Sequence, residues 1–285
     1  MKTARVVAGV REALRNLNPN EVRESAHRPF QFELHASSTR MYEQMENFFA
    51  PAHTFSDARR ASMSGLIVRN ASVQSTNVPV IRIYEKGLPQ DSGEGFTYDT
   101  MNPDGVVREI LEHHSDLKLS LARQICPFRG QVAKDVIQTV SKENALFSLA
   151  TAVPSIVPLL SIPWTVGEFA SDTAVLTANQ IRMAFMLAAA SDRTVGYREQ
   201  RAEIASLFAG AFGWRAIARE LAGKIPFGGG IVPKAAISFA GTYVVGASLE
   251  RYYRVGYGFT PEERRQAYQQ AIERGKEIVA SLLKT

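Results

Sequence analysis

Apolar and polar positions follow different rhythms in the two halves of the chain. Short apolar runs at Phe30 to Leu34, Gly65 to Arg69 and Val78 to Tyr84 have the length and the β-branched or aromatic content of strands, with helical spacing before and between them. Alternation of this kind predicts a small α/β layer with a parallel sheet. From about Asp104 the pattern is helical to the end, so the whole is expected to be an α+β fold, a small α/β layer followed by a mainly α-helical domain. No repeat of 20 to 50 residues stands out.

Helix starts are marked by local chemistry. Asn18, Pro19 and Glu21 supply an N-cap, a first-turn proline and an acid in the first turn, and Thr260, Pro261 and Glu263 repeat the device. After the second start, Ala267, Tyr268, Ala271, Ile272, Gly275, Ile278, Val279, Leu282 and Leu283 line one face of an amphipathic helix. The chain divides into N-terminal helices at 1–28, an α/β segment at 29–103, a helical connector at 104–143 and a mainly helical domain at 144–285.

The segment between Asn144 and Gly167 has no ionisable side chain and is long enough in principle to cross a bilayer. Pro154, Pro158 and Pro163 interrupt it, so a helix to about Val153 followed by a bent linker fits better than one straight helix. Ala174 to Ala190 is a further apolar helix that carries Asn179, Gln180 and Arg182. Ile225 to Leu249 opens with Pro226, Phe227, Gly228, Gly229 and Gly230, a turn, and is then apolar almost all round from Pro233, with small Gly241 and Gly246. Such helices are buried, in protein or in lipid. Two accounts fit: core helices whose polar residues face a partner or solvent, or a membrane-inserted or membrane-lying hairpin with Arg182, Arg193 and Arg198 at a phosphate-rich surface.

Composition narrows the classes. The 285 residues are 45% hydrophobic and 21% charged, which excludes disorder and low-complexity architectures. The formal charge of +5 comes from scattered Lys and Arg with no basic stripe, so no nucleic-acid partner is expected. Cys126 stands alone and suits a reducing cytoplasm, and the stretch from Met1 to Arg15 lacks the apolar run of a secretory signal. His113, His114 and Asp116 lack metal-ligand spacing, and Ser64 lacks the first glycine of a GxSxG elbow. No catalytic set, metal site or cofactor is expected.

The order from Ala145 to Tyr253 resembles a bacterial family known as domain of unknown function 697, found C-terminal to P-loop GTPase domains. The matching landmarks are the apolar helix into Pro154, Pro158, Pro163 and Trp164, the Asn179 to Met183 helix, Leu221 through Ile225, Pro226 and the glycines, then Thr242, Tyr243 and Gly246 before Tyr252 and Tyr253. Upstream, Arg28-Pro29-Phe30 leading into a strand looks like the start of a GTPase domain, and Gly65 to Val68 looks like a later strand of one. At the P-loop position stand Ser37, Ser38, Thr39 and Arg40, without glycine or lysine, and at the guanine-motif position Glu85 and Lys86, with only the lysine kept.

The resemblance implies a truncated, inactive GTPase-like module joined to a helical domain that associates with membranes. The expected function is a non-catalytic interaction or regulatory protein, cytoplasmic and associated with or inserted in the inner membrane. Its expected partner is a protein, for instance an active GTPase relative, with oligomerisation left open. Alternatives are a membrane-embedded scaffold and a residual nucleotide-binding GTPase. The candidate interaction or membrane residues are Pro154, Pro158, Pro163, Trp164, Gln180, Arg182, Pro226, Gly228, Gly229, Gly230, Thr242 and Gly246.

Overall fold

The computed structural model describes residues 17–51, 65–69, 78–90, 95–152, 172–207 and 231–282. In chain order the elements are α1 (Pro19–Ala26), β1 (Gln31–His35), α2 (Thr39–Phe49), β2 (Ile67–Arg69), β3 (Val80–Glu85), β4 (Phe96–Tyr98), α3 (Pro103–His113), a 3-10 turn (Ser115–Leu117), α4 (Lys118–Gln124), α5 (Cys126–Ala152), α6 (Asp172–Ala190), α7 (Ile231–Val255) and α8 (Pro261–Leu282). The fold is α+β, mainly helical with one small parallel sheet. Two compact units are formed, one by Arg23–Val132 and one by Met1–Val22 with Ala133–Thr285.

The first unit is built on a four-stranded sheet in the order β2-β1-β3-β4, with every pair parallel. Three of its strands fall where the sequence pattern placed them, and β4 is an addition. Strand alternation sends Phe32, Leu34, Ile81 and Ile83 to one face, in register across β1 and β3, and all four are buried. Phe49 of α2 meets Phe32 edge-on at 5.1 Å, and Phe128 and Tyr98 complete the aromatic cluster. The opposite face carries Glu33, Arg82, His35 and Tyr84, cross-strand neighbours by the same register. Gly95 is required beside Tyr84, because a Cβ there would lie 2.4 Å from the tyrosine ring.

In the second unit α7 is the central helix. One side packs on α8 through Ala240 and Val244 against Tyr268, Ala271 and Ile272, and on α5 through Ala235 and Phe239 against Ala145 and Leu149. Burial on several sides is why its sequence is apolar almost all round. Small residues set the crossings. A Cβ at Gly246 would sit 2.8 Å from Ile137 Cγ1 and 2.9 Å from Met183 Sδ, so α5, α6 and α7 meet at this point. At Gly275 the Ala236 carbonyl oxygen is 3.0 Å from the ideal Cβ position, which brings the α8 backbone close to α7.

Both sequence-marked helix starts are present. Asn18 Oδ1 accepts from the Asn20 amide at 3.0 Å. Thr260 and Glu263 form a reciprocal capping box, with the Thr260 amide donating to Glu263 at 2.9 Å and the Glu263 amide to Thr260 Oγ1 at 3.2 Å. The C-terminus of α6 is closed by a Schellman arrangement, in which the Arg193 amide reaches the Ala188 carbonyl at 2.9 Å and Asp192 takes a φ of 57°.

The glycines separate two opposite outcomes. Gly130, in α5, has open space around its ideal Cβ. Gly130→Ala is expected to stabilise the protein by about 0.5–1 kcal/mol through helix propensity. Gly246→Ala is expected to cost about 1–3 kcal/mol by overpacking, despite the same gain in propensity. Thermal unfolding of the two variants measures both signs.

Candidate functional site

In a sheet ordered β2-β1-β3-β4 the chain leaves β1 toward one edge and β3 toward the other. The connections therefore diverge at the C-terminal ends of β1 and β3, the place where open α/β sheets form a ligand crevice. The residues that reach this edge are Ser37 to Arg40, which lead into α2, and Glu85 to Gly87, which leave β3. The sequence singled out the same two groups separately, and the fold brings them together.

The contact between them is direct. The Ser37 amide donates to Glu85 Oε2 at 2.7 Å. Ser38 is the N-cap of α2, its Oγ accepting from the Met41 amide at 3.3 Å. The helix start carries partial positive charge, and a phosphate bound here would need such amides. The chain's own carboxylate lies beside that start, on the amide of Ser37, the residue before the N-cap. Thr39 and Arg40 are exposed in the first turn of α2.

Lys86 turns to the other side, its Nζ 2.6 Å from Asp99 Oδ2. Asp99 also accepts from the Met101 amide at 2.9 Å, just before α3. Together these bonds hold the Asp99 carboxyl below the usual carboxylate range, with the Lys86 contact as the larger cause. Gly87, at φ 95°, makes the turn that lets the chain leave β3.

Behind this edge lies a polar patch on the sheet. Glu33 is 8% exposed, with one oxygen 3.2 Å from Arg82 Nε and the other 3.2 Å from His35 Nε2. The His35 ring stacks on Tyr84 at 4.4 Å. None of these residues was singled out for a role by the sequence. The available signal is the charged residue set between two apolar ones in each strand, Phe32-Glu33-Leu34 and Ile81-Arg82-Ile83.

Of the flagged polar residues in the helical unit, Gln180 and Thr242 lie inside and Arg182 is half-buried. Gln180 and Thr242 are 4% and 1% exposed, and Gln180 Nε2 donates to Thr242 Oγ1 at 3.3 Å. Asn144, which the sequence reading passed over, donates to the same hydroxyl at 2.8 Å and accepts from Asn179 at 2.8 Å. Arg182 pairs with Glu143. Arg193 donates to the Tyr253 carbonyl at 3.1 Å and lies over the Tyr252 and Tyr253 rings, so it serves the C-terminal end of α7. Burial pushes the Tyr253 phenol up, with Glu203 adding to the effect.

Pro154, Pro158, Pro163, Trp164, Pro226, Gly228, Gly229, Gly230 and Ser64 lie outside the described residues. Among the described residues no helix is long and apolar enough to cross a membrane, and no group of His, Cys, Asp and Glu is placed to hold a metal ion. His113 and His114 instead lie against Phe96, with ring centroids at 5.4 and 5.7 Å. Burial lowers the His114 pKa. Arg129, flanking Cys126, donates to the carbonyls of Ala122 and Arg123 at the end of α4. No family model, curated protein or solved structure matches this chain.

The Asp99 interaction has a defined pH signature. Its carboxyl is lowered in the folded state, so the stability it contributes is fully present above the unfolded value of about 4 and is lost as pH falls through the folded value. Asp99→Asn is expected to flatten the acid limb of a stability-against-pH curve, with no added change between neutrality and mild alkali. Urea unfolding at a series of pH values checks this.

Proposed function

We propose that this chain is a non-catalytic interaction protein: a reduced GTPase-like α/β module joined to a helical domain that docks a protein partner at the cytoplasmic face of the inner membrane. One observation carries the reading. The amide of Ser37, just before the α2 N-cap in the segment that resembles a P-loop position, is bound to Glu85 at 2.7 Å. A phosphate brought to that amide has to displace a carboxylate and then sit beside it, an arrangement of like charges that disfavours binding.

The neighbouring chemistry agrees. No lysine stands at the P-loop position, and Lys86, the lysine kept at the guanine-motif position, is held by Asp99 at 2.6 Å. Glycines that let a backbone wrap an anion are missing between His35 and Arg40. The resemblance to GTPase-associated helical domains supplies the partner class by analogy, an active GTPase relative. Contact with the membrane is at its surface in this reading. Membrane proximity comes from the resemblance, and insertion is disfavoured because α6 and α7 place apolar residues against protein neighbours, Ile181, Phe185, Phe239 and Val244 all being buried.

Thermal unfolding with GTP or GDP at about 1 mM and excess magnesium is the test. A ligand that binds only the folded form raises the midpoint in proportion to the logarithm of its concentration. No shift is expected with either nucleotide, and no phosphate release from GTP. A midpoint that climbs with nucleotide concentration overturns the proposal in favour of a nucleotide-binding protein. Carbonate-resistant retention in a membrane fraction overturns the surface-contact clause and returns the embedded scaffold.

A further inference from the structure

Within the helical unit, polar side chains form rungs across the seam between α5 and α7. Lys234 Nζ lies 3.1 Å from Thr151 Oγ1, Ser238 and Ser148 hydroxyls lie 2.6 Å apart, and Asn144 donates to Thr242 at 2.8 Å. On α7 the rungs step four residues at a time, and the next step is Gly246, the residue fitted under Ile137 and Met183. Helix α6 joins at the Asn144 rung through Asn179 and Gln180. Asn144, Ser148, Ser238 and Thr242 are all buried.

The apolar surface adds one direction of its own, the notch at Gly246 under Ile137 and Met183. Elsewhere on the seam Phe239 and Leu149 pack with Ala145 and Ala235, and the amount of apolar area buried changes little over a one-turn slide. Hydrogen bonds are not indifferent, because geometry and partner identity both count. A slide of α7 that set Ser238 opposite Asn144 would set Lys234 opposite buried Ser148 and press Thr242 into the notch under Ile137 and Met183. The opposite slide would leave Asn144 facing Gly246, which has no side chain, and put Glu250 into the notch. Each neighbouring register therefore meets a buried polar fault and a steric one.

We infer that the Asn144–Asn179–Gln180–Thr242 network, with the Ser148–Ser238 rung, is a register-selecting device: together with the Gly246 notch it fixes the alignment of α5, α6 and α7, and it contributes little to net stability. Buried polar groups used this way cost stability when one partner is removed and restore it when all are replaced by apolar groups of similar size. The network is then a choice among alignments rather than a source of adhesion.

Two variants of the full chain test this, followed by thermal unfolding and by the methyl resonances of Ile137 and Met183. Asn144→Leu strands its amide and hydroxyl partners and is expected to lower the midpoint by several degrees. The combined Asn144→Leu, Asn179→Leu, Gln180→Met, Thr242→Val variant is expected to regain most of that loss. Its Ile137 and Met183 methyls are expected to shift or broaden relative to the parent as the alignment loosens, with the Gly246 notch still opposing a full one-turn slide. Single, sharp methyls at the parent positions in the combined variant overturn the inference. So does a combined variant no more stable than Asn144→Leu alone, or one that does not fold, since the network would then be adhesive.

Discussion

The helical unit depends on how closely three helices approach at one residue. Gly246 admits Ile137 and Met183 to its backbone, and that proximity is what puts the α5 and α6 amides within reach of the Thr242 hydroxyl one turn away. Close packing of small residues and buried hydrogen bonding are thus one constraint seen from two sides. A wider crossing would leave the polar groups apart and unpaired in an apolar interior, where each costs about 1–3 kcal/mol. The apolar character of α7 follows from the same geometry, since a central helix has little surface left for water.

The sheet unit has a different economy. Its aromatic face is packed by α2 and by Phe128, while its other face carries an ion pair and a histidine stack on the same strands. The C-terminal edge is then closed by groups that bind one another, Glu85 with the Ser37 amide and Lys86 with Asp99. At this edge one carboxylate and one ammonium group are thus partnered within the chain.

Much of the local structure was legible because local signals produced it. Thr260 and Glu263 form the capping box their spacing promises, and the runs at Phe30, Gly65 and Val78 overlap β1, β2 and β3, with β1 and β3 each ending one residue later. Strand β4 escaped notice because three residues are too few for a periodicity, and Phe96–Tyr98 is a strand only by pairing with β3. The contacts between groups were illegible for the same reason. Asn144 and Thr242 stand 98 positions apart, and Glu33 and Arg82 stand 49 apart, so neither partner marks the other along the chain. Gln180 and Arg182 were conspicuous as polar residues in an apolar helix, yet conspicuousness did not say whether they faced lipid, a partner or the protein's own interior.

The sequence distance between paired strands bears on how the molecule comes to be. Helices α7 and α8 are joined by a short corner and find each other among near neighbours. Strands β1 and β3, the centre of the sheet, pair residues that stand 49 positions apart, and β2 must enter beside β1 before the sheet is complete. Loop closure of that length is entropically demanding and parallel pairing is slow. The helical hairpin therefore forms on a faster clock than the sheet. During that interval the unpaired strands, with Phe30, Phe32 and Ile81 uncovered, are the part of the chain most open to self-association and to a chaperone.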